Sequence, residues 1–125
     1  MVEGKRLDNK TAKNDELTDE EVQLSILTML FNKRKTQPKD PEVLKEKIIE
    51  VLGIPEDRII FNAGYLEEKK LIEFVGETME GWVWAKITAM GIDAMANKEE
   101  RKKAFHFLGL KIPIHIENKI ALINF

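Results

Sequence analysis

At 125 residues with 43% hydrophobic content, the chain is long enough for a single domain with a substantial core. Its 20 basic and 22 acidic residues nearly cancel, so no global field draws it to nucleic acid or anionic lipid, and any basic surface must be local. The absence of cysteine excludes disulfides and thiolate metal sites, and no apolar run nears the roughly 18 to 20 residues that cross a bilayer, so a soluble, cytoplasmic protein is expected.

Residues 1–16 hold four basic and four acidic groups with little apolar material, which predicts a mobile polar arm. At "TDEE" the pattern changes. Thr18 with Glu21 forms a capping box, and Val22, Leu24, Ile26, Leu27, Leu30 and Phe31 follow at helical spacing, predicting a first helix over residues 18–32. "KRKTQPKD" reads as a polar connector. Asp40 and Pro41 then supply an N-cap and a first-turn residue for a second helix, whose stripe is Leu44, Ile48, Val51 and Leu52 and whose C-terminal cap is Gly53.

Pro55 can open a third helix after a turn of about three residues, running to Lys70 with Ile59, Ala63 and Leu66 on its core face. There the period changes from 3.6 to 2. "LIEFV" and "WVWAKI", separated by the glycine-bounded "GETMEG", predict a two-stranded ribbon. Simple alternation turns Val83, Ala85 and Ile87 inward and leaves Trp82 and Trp84 together on the opposite face, near Val75. Such an apolar patch calls for cover, from the C-terminal tail in cis or swapped, or from a partner. "TAMGIDAMA" resumes helical spacing behind Thr88, and Asn97 with Glu100 predicts a second cap that breaks residues 88–108 into two helices. In the tail, Ile112, Ile114 and Ile116 alternate with Pro113, His115 and Glu117, as in an edge strand.

Three helices with a tight second turn, then a hairpin and another helix, follow the order of the winged helix-turn-helix family. "GIPEDRIIFNAGYLEEKKLIEF" resembles its turn, recognition helix and first wing strand, and "AKITAMGIDAM" is similar to the wing exit of small prokaryotic, archaeal-type DNA-binding regulators. The resemblance covers residues 18–97. It implies an α+β winged helix-turn-helix fold: a three-helix core and two-stranded β wing in a domain at residues 17–97; outside the resemblance, residues 98–125 are expected to add a C-terminal helix and extended tail for dimerisation or wing covering. It further implies a DNA-binding transcription regulator acting as a homodimer. The third helix would approach the major groove of double-stranded DNA through Arg58, Phe61 and Tyr65, with Lys33, Arg34 and Lys35 near the backbone.

The residue types pull the other way. The outer face of the third helix offers Arg58, Ile60, Phe61, Gly64 and Tyr65, whereas base edges are read mainly by Arg, Lys, Asn and Gln. Residues 54–87 carry seven acids against four bases, a net charge of minus three, and Glu77 and Glu80 stand at the wing tip. Phosphate neutralisation supplies non-specific affinity, so this segment would repel a polyanion. The alternative is a protein-interaction module anchored by the Ile60, Phe61 and Tyr65 face or by Trp82 and Trp84. Basic groups cluster elsewhere, in the arm, after the first helix, and in residues 98–111, which sum to plus three. His106 and His115 lie apart, Ser25 sits inside the first helix, and no metal, cofactor or catalytic motif is visible, so neither an enzyme nor a cofactor is expected.

Overall fold

The computed structural model describes residues 17–123. Helix α1 spans Asp19–Thr36, strand β1 Val43–Leu44, helix α2 Lys45–Leu52 and helix α3 Glu56–Glu68. Strands β2 (Ile72–Thr78) and β3 (Gly81–Ile87) form the hairpin, followed by α4 (Ala89–Ala96), a single turn α5 (Lys98–Arg101), a 3-10 turn at His106–Gly109 and α6 (Ile114–Ala121). The sheet is antiparallel in the order β1-β3-β2.

Helix α1 starts where the capping box predicts. The Glu21 amide donates to Thr18 Oγ1 at 3.1 Å and the Thr18 amide donates to Glu21 Oε1 at 2.9 Å. It is nearly surrounded: Val22, Ile26, Leu27, Met29 and Leu30 are fully buried, and the Ser25 hydroxyl donates back to the Glu21 carbonyl at 2.7 Å. The helix continues through Thr36, so "KRKT" is its last turn and not a connector. Three cations there oppose the negative end of the helix dipole.

The second helix starts later than the Asp40-Pro41 signal suggests. Residues 43 and 44 instead pair with β3, Val43 opposite Ala85 and Leu44 opposite Trp84, and α2 begins at Lys45. Burial of Val43 against the sheet outweighs a local cap. Gly53 closes α2 in the left-handed conformation (φ 63°, ψ 32°), its amide bonded to the Ile49 carbonyl at 2.8 Å, and three residues separate α2 from α3. On α3, Ile59, Ala63 and Leu66 are all fully buried, as their spacing requires. The helix ends in a left-handed turn at Lys70 (φ 69°) that returns the Leu71 amide to the Leu66 carbonyl and aims the chain into β2.

The hairpin is longer than the glycine spacing implies. Both strands extend inward from "GETMEG", leaving only Met79 and Glu80 between them, with the Thr78 hydroxyl donating to the Gly81 carbonyl at 3.1 Å. The ladder runs from Ile72 opposite Ile87 to Val75 opposite Trp84, is unpaired at Gly76 and Val83, and resumes in the same register with Glu77 opposite Trp82. Gly76 has φ +75°, a value open to glycine, and it breaks the pleat there.

The two tryptophans differ in burial. Trp82 turns inward to 7% exposure and stacks on Phe74, ring centroids 4.5 Å apart and 8° from parallel. On an unbroken ladder those two rings would lie on opposite faces. Lys45 of α2 also approaches the indole, its ammonium 5.4 Å from the ring centre. Trp84 remains 37% exposed and lies over Gly76, within 2.8 Å of where a β-carbon would stand. The expected joint patch of two exposed indoles therefore does not form.

Thr88 caps α4, accepting from the Gly91 amide at 3.0 Å while its hydroxyl donates to the Lys70 carbonyl at 2.7 Å. A break does fall at Asn97, although Asn97 caps nothing with its side chain and bonds back to Asp93. The tail is helical and not a strand. Ile112, Ile116 and Ile120 recur every four residues, Ile116 and Ile120 are buried, and Ile114 points to solvent. Helix α6 packs against α1 and α2, on the three-helix core. Phe107, Leu108, Ile116 and Ile120 join the same core as the helices before them. The arm predicted at residues 1–16 lies outside the described residues.

Candidate functional site

The outward face of α3 brings together Asp57, Ile60, Phe61, Gly64, Glu67 and Glu68, residues three and four apart on one side of the helix. Ile60 is 43% and Phe61 64% exposed, the acids are exposed, and Tyr65 is half-buried beside them with Lys69 over its ring. At the centre is Gly64, where an added β-carbon would meet nothing within 4 Å. Glycine in a helix interior costs about 1 kcal/mol relative to alanine, and neither a neighbour nor a positive φ demands it here.

Arg58 sits at the edge of this face but is held by the fold. Its guanidinium donates to Asp19 Oδ1 at 2.7 Å, and Asn62 Nδ2 donates to the same oxygen at 3.1 Å. Asn62, fully buried, also donates to the Arg58 carbonyl at 2.9 Å and accepts from Gln23 Nε2 at 2.9 Å. Asp19, Gln23, Arg58 and Asn62 thus form a polar lock between the first turn of α1 and the first half of α3. Sequence reasoning passes over Asn62. The available signal is its place in the buried stripe Ile59, Asn62, Ala63, Leu66, where a polar residue must be bonded.

The hydrogen bond from Arg58, then that from Asn62, holds the Asp19 carboxyl below the usual carboxylate range, against a smaller opposing effect of burial. A depressed folded pKa means that Asp19 contributes stability above its unfolded value, about 3.9, and loses it as pH falls through the lower folded value. Asp19→Asn should accordingly be less stable than the parent at neutral pH, and the gap should close as the solution is acidified below about pH 4. Urea midpoints of the two proteins across that range provide the check; a gap independent of pH would refute the assignment.

The cations at the end of α1 divide as well. Lys33 is only 4% exposed: its ammonium donates to the carbonyls of Asp40 and Glu42, the latter at 3.0 Å, and lies 3.9 Å from the Asp40 carboxylate. A cation so enclosed holds the 37–42 loop and cannot reach a nucleic-acid backbone. Arg34 is half-buried and points at the Ile87 carbonyl, 3.5 Å away, while Lys35 is exposed with its ammonium 5.2 Å from the Phe31 ring centre. Of the expected site residues, Phe61 and Ile60 share the α3 face with Tyr65 at its margin. Trp84 lies apart on the outer sheet face beside Leu44 and Val75, and Trp82 is interior.

Elsewhere, open grooves of about 450 and 420 Å³ flank α6 against α1, with Lys98, Lys111 and Glu117 around the first and Lys35 at the second. Among the described residues, no cluster of histidine and carboxylate side chains suited to a metal occurs, and no helix is long and apolar enough to cross a membrane.

The three-helix core, the short turn into α3 and the hairpin that follows define a winged helix-turn-helix protein, α+β in class. That assignment rests on this chain's own topology. No protein-family model and no curated protein matches the chain. Among solved structures, a MarR family regulator from Neisseria meningitidis is similar, with a TM-score of 0.49 and 19% identity over 68% of this chain. The match takes in 56% of that protein, so this chain corresponds to little more than half of its length.

Proposed function

We propose that the protein is a binding module of winged-helix type whose α3 face docks another protein and does not read the major groove. The composition of that face carries the reading: exposed Ile60 and Phe61 stand among Asp57, Glu67 and Glu68, and the nearest arginine is engaged with Asp19. Base readout needs donors such as Arg, Lys, Asn or Gln, and the buried Asn62 is turned into the protein. The wing adds Glu77 and Glu80 at its tip. An aromatic residue beside an aliphatic one is, by contrast, the usual anchor of a protein interface.

A second reading, a transcription regulator that binds double-stranded DNA as a homodimer, is favoured by the scaffold and by the exposed Lys98, Lys102, Lys103 and Lys111. These cations lie off α3, so duplex would meet the protein through its C-terminal segment. One titration separates the two. With mixed-sequence duplex at low ionic strength, amide signals of residues 57–68 should stay unmoved, and any binding should perturb residues 98–111 and weaken steeply with salt. Shifts centred on Ile60, Phe61 and Gly64 that vanish with salt would return α3 to the groove and refute the protein-docking reading.

A further inference from the structure

Resting on the protein-docking reading, we infer that the occupant of the α3 face is a cationic amphipathic helix of another protein, crossing α3 over Gly64. Three observations define it. The outward residues are acidic: Asp57, Glu67 and Glu68 are exposed, while of the cations at the margin Arg58 is bonded to Asp19 and Lys69 lies over the Tyr65 ring. The complementary surface is rich in lysine and arginine, and a second copy of this face would set acid against acid.

The centre is apolar and notched. Gly64 has Ile60 and Phe61 one turn before it and Glu67 and Glu68 one turn after, and among the described residues no atom lies within 4 Å of where a side chain's first carbon there would stand. A bare stretch of helix backbone between two exposed apolar side chains is a groove that accepts a ridge of side chains from a crossing helix and lets the two axes approach closely. The backbone of α3 is already hydrogen-bonded within the helix. An extended segment laid on it would leave its own amides and carbonyls without partners, whereas a helix brings its backbone satisfied. The glycine weakens α3 in isolation, and its use is the approach it permits.

The test uses the full chain and two synthetic amphipathic helical peptides, one of leucine and lysine and one of leucine and glutamate. The leucine-lysine peptide should bind and move the amide signals of Ile60, Phe61 and Gly64, and the leucine-glutamate peptide should not. Gly64→Gln fills the notch without altering charge and should cut that affinity about tenfold or more, with a melting temperature unchanged or raised. Binding indifferent to Gly64→Gln, or equal binding of both peptides on α3, overturns the cationic crossing helix while leaving α3 as a docking face. Failure of both peptides to move α3 likewise overturns the inference. Duplex DNA moving those signals instead overturns the reading beneath it. A Phe61-dependent dimer in sedimentation would assign the face to a second copy and also overturn the proposal.

Discussion

Gly91→Ala is expected to destabilise the protein by about 3 kcal/mol, although alanine is the better helix former. The new β-carbon would stand 2.3 Å from the Leu71 carbonyl oxygen and 2.6 Å from Ile87 Cγ1. The first obstacle is main chain, fixed by the Thr88 amide, which donates to that same carbonyl at 3.0 Å. Relief therefore requires α4 to lift from the junction of α3 and the hairpin, with loss of the Thr88 bonds to Lys70 and Gly91. Gly64→Ala, in the open middle of α3, is the matched control and should gain up to about 1 kcal/mol. Urea unfolding of both variants measures the contrast, and equal effects of the same sign would show that α4 does not seat on the Leu71 carbonyl.

Lys33→Ala is expected to cost a similar amount, about 3 kcal/mol, or roughly 10 °C in melting temperature. The ammonium satisfies two main-chain carbonyls of the loop that delivers Val43 to β3, and its stem is buried along the way. Lys33→Met keeps most of the packing and loses the bonds, so it should fall between the alanine variant and the parent. Lys35→Ala, two residues on and exposed, should change stability by no more than about 0.5 kcal/mol. Amide exchange should rise at Val43 and Leu44 in the Lys33 variants. Full protection there with an unchanged melting point would mean that the loop stands without its cation.

Signals contained within a few neighbouring residues were legible in the sequence. Thr18 and Glu21 announce the start of α1, Gly53 the end of α2, and the spacing of Ile59, Ala63 and Leu66 the buried side of α3. The exposed Ile60 and Phe61 follow from the same geometry, so the centre of the candidate site could be located without coordinates. What stayed hidden depends on residues far apart in the chain. Val43 and Leu44 become a strand because Ala85, Trp84 and the Lys33 ammonium await them, forty or more positions away for the first two. Arg58 looks available until Asp19 is brought beside it. The tail misleads for another reason: isoleucines two apart fit a strand, and only Ile120, four residues beyond Ile116, reveals the helical period.

Gly76 also bears on how two like side chains come to differ. Strict alternation along β3 would have turned both indoles outward, leaving a broad greasy plate on the ribbon. Instead Trp82 is stacked on Phe74 with the Lys45 ammonium near its ring, and Trp84 stays half-exposed above the bare glycine, beside Leu44. The hairpin thereby buries one indole near its tip, while Trp84 with Leu44 beside it forms an exposed apolar spot separate from Ile60 and Phe61 on α3.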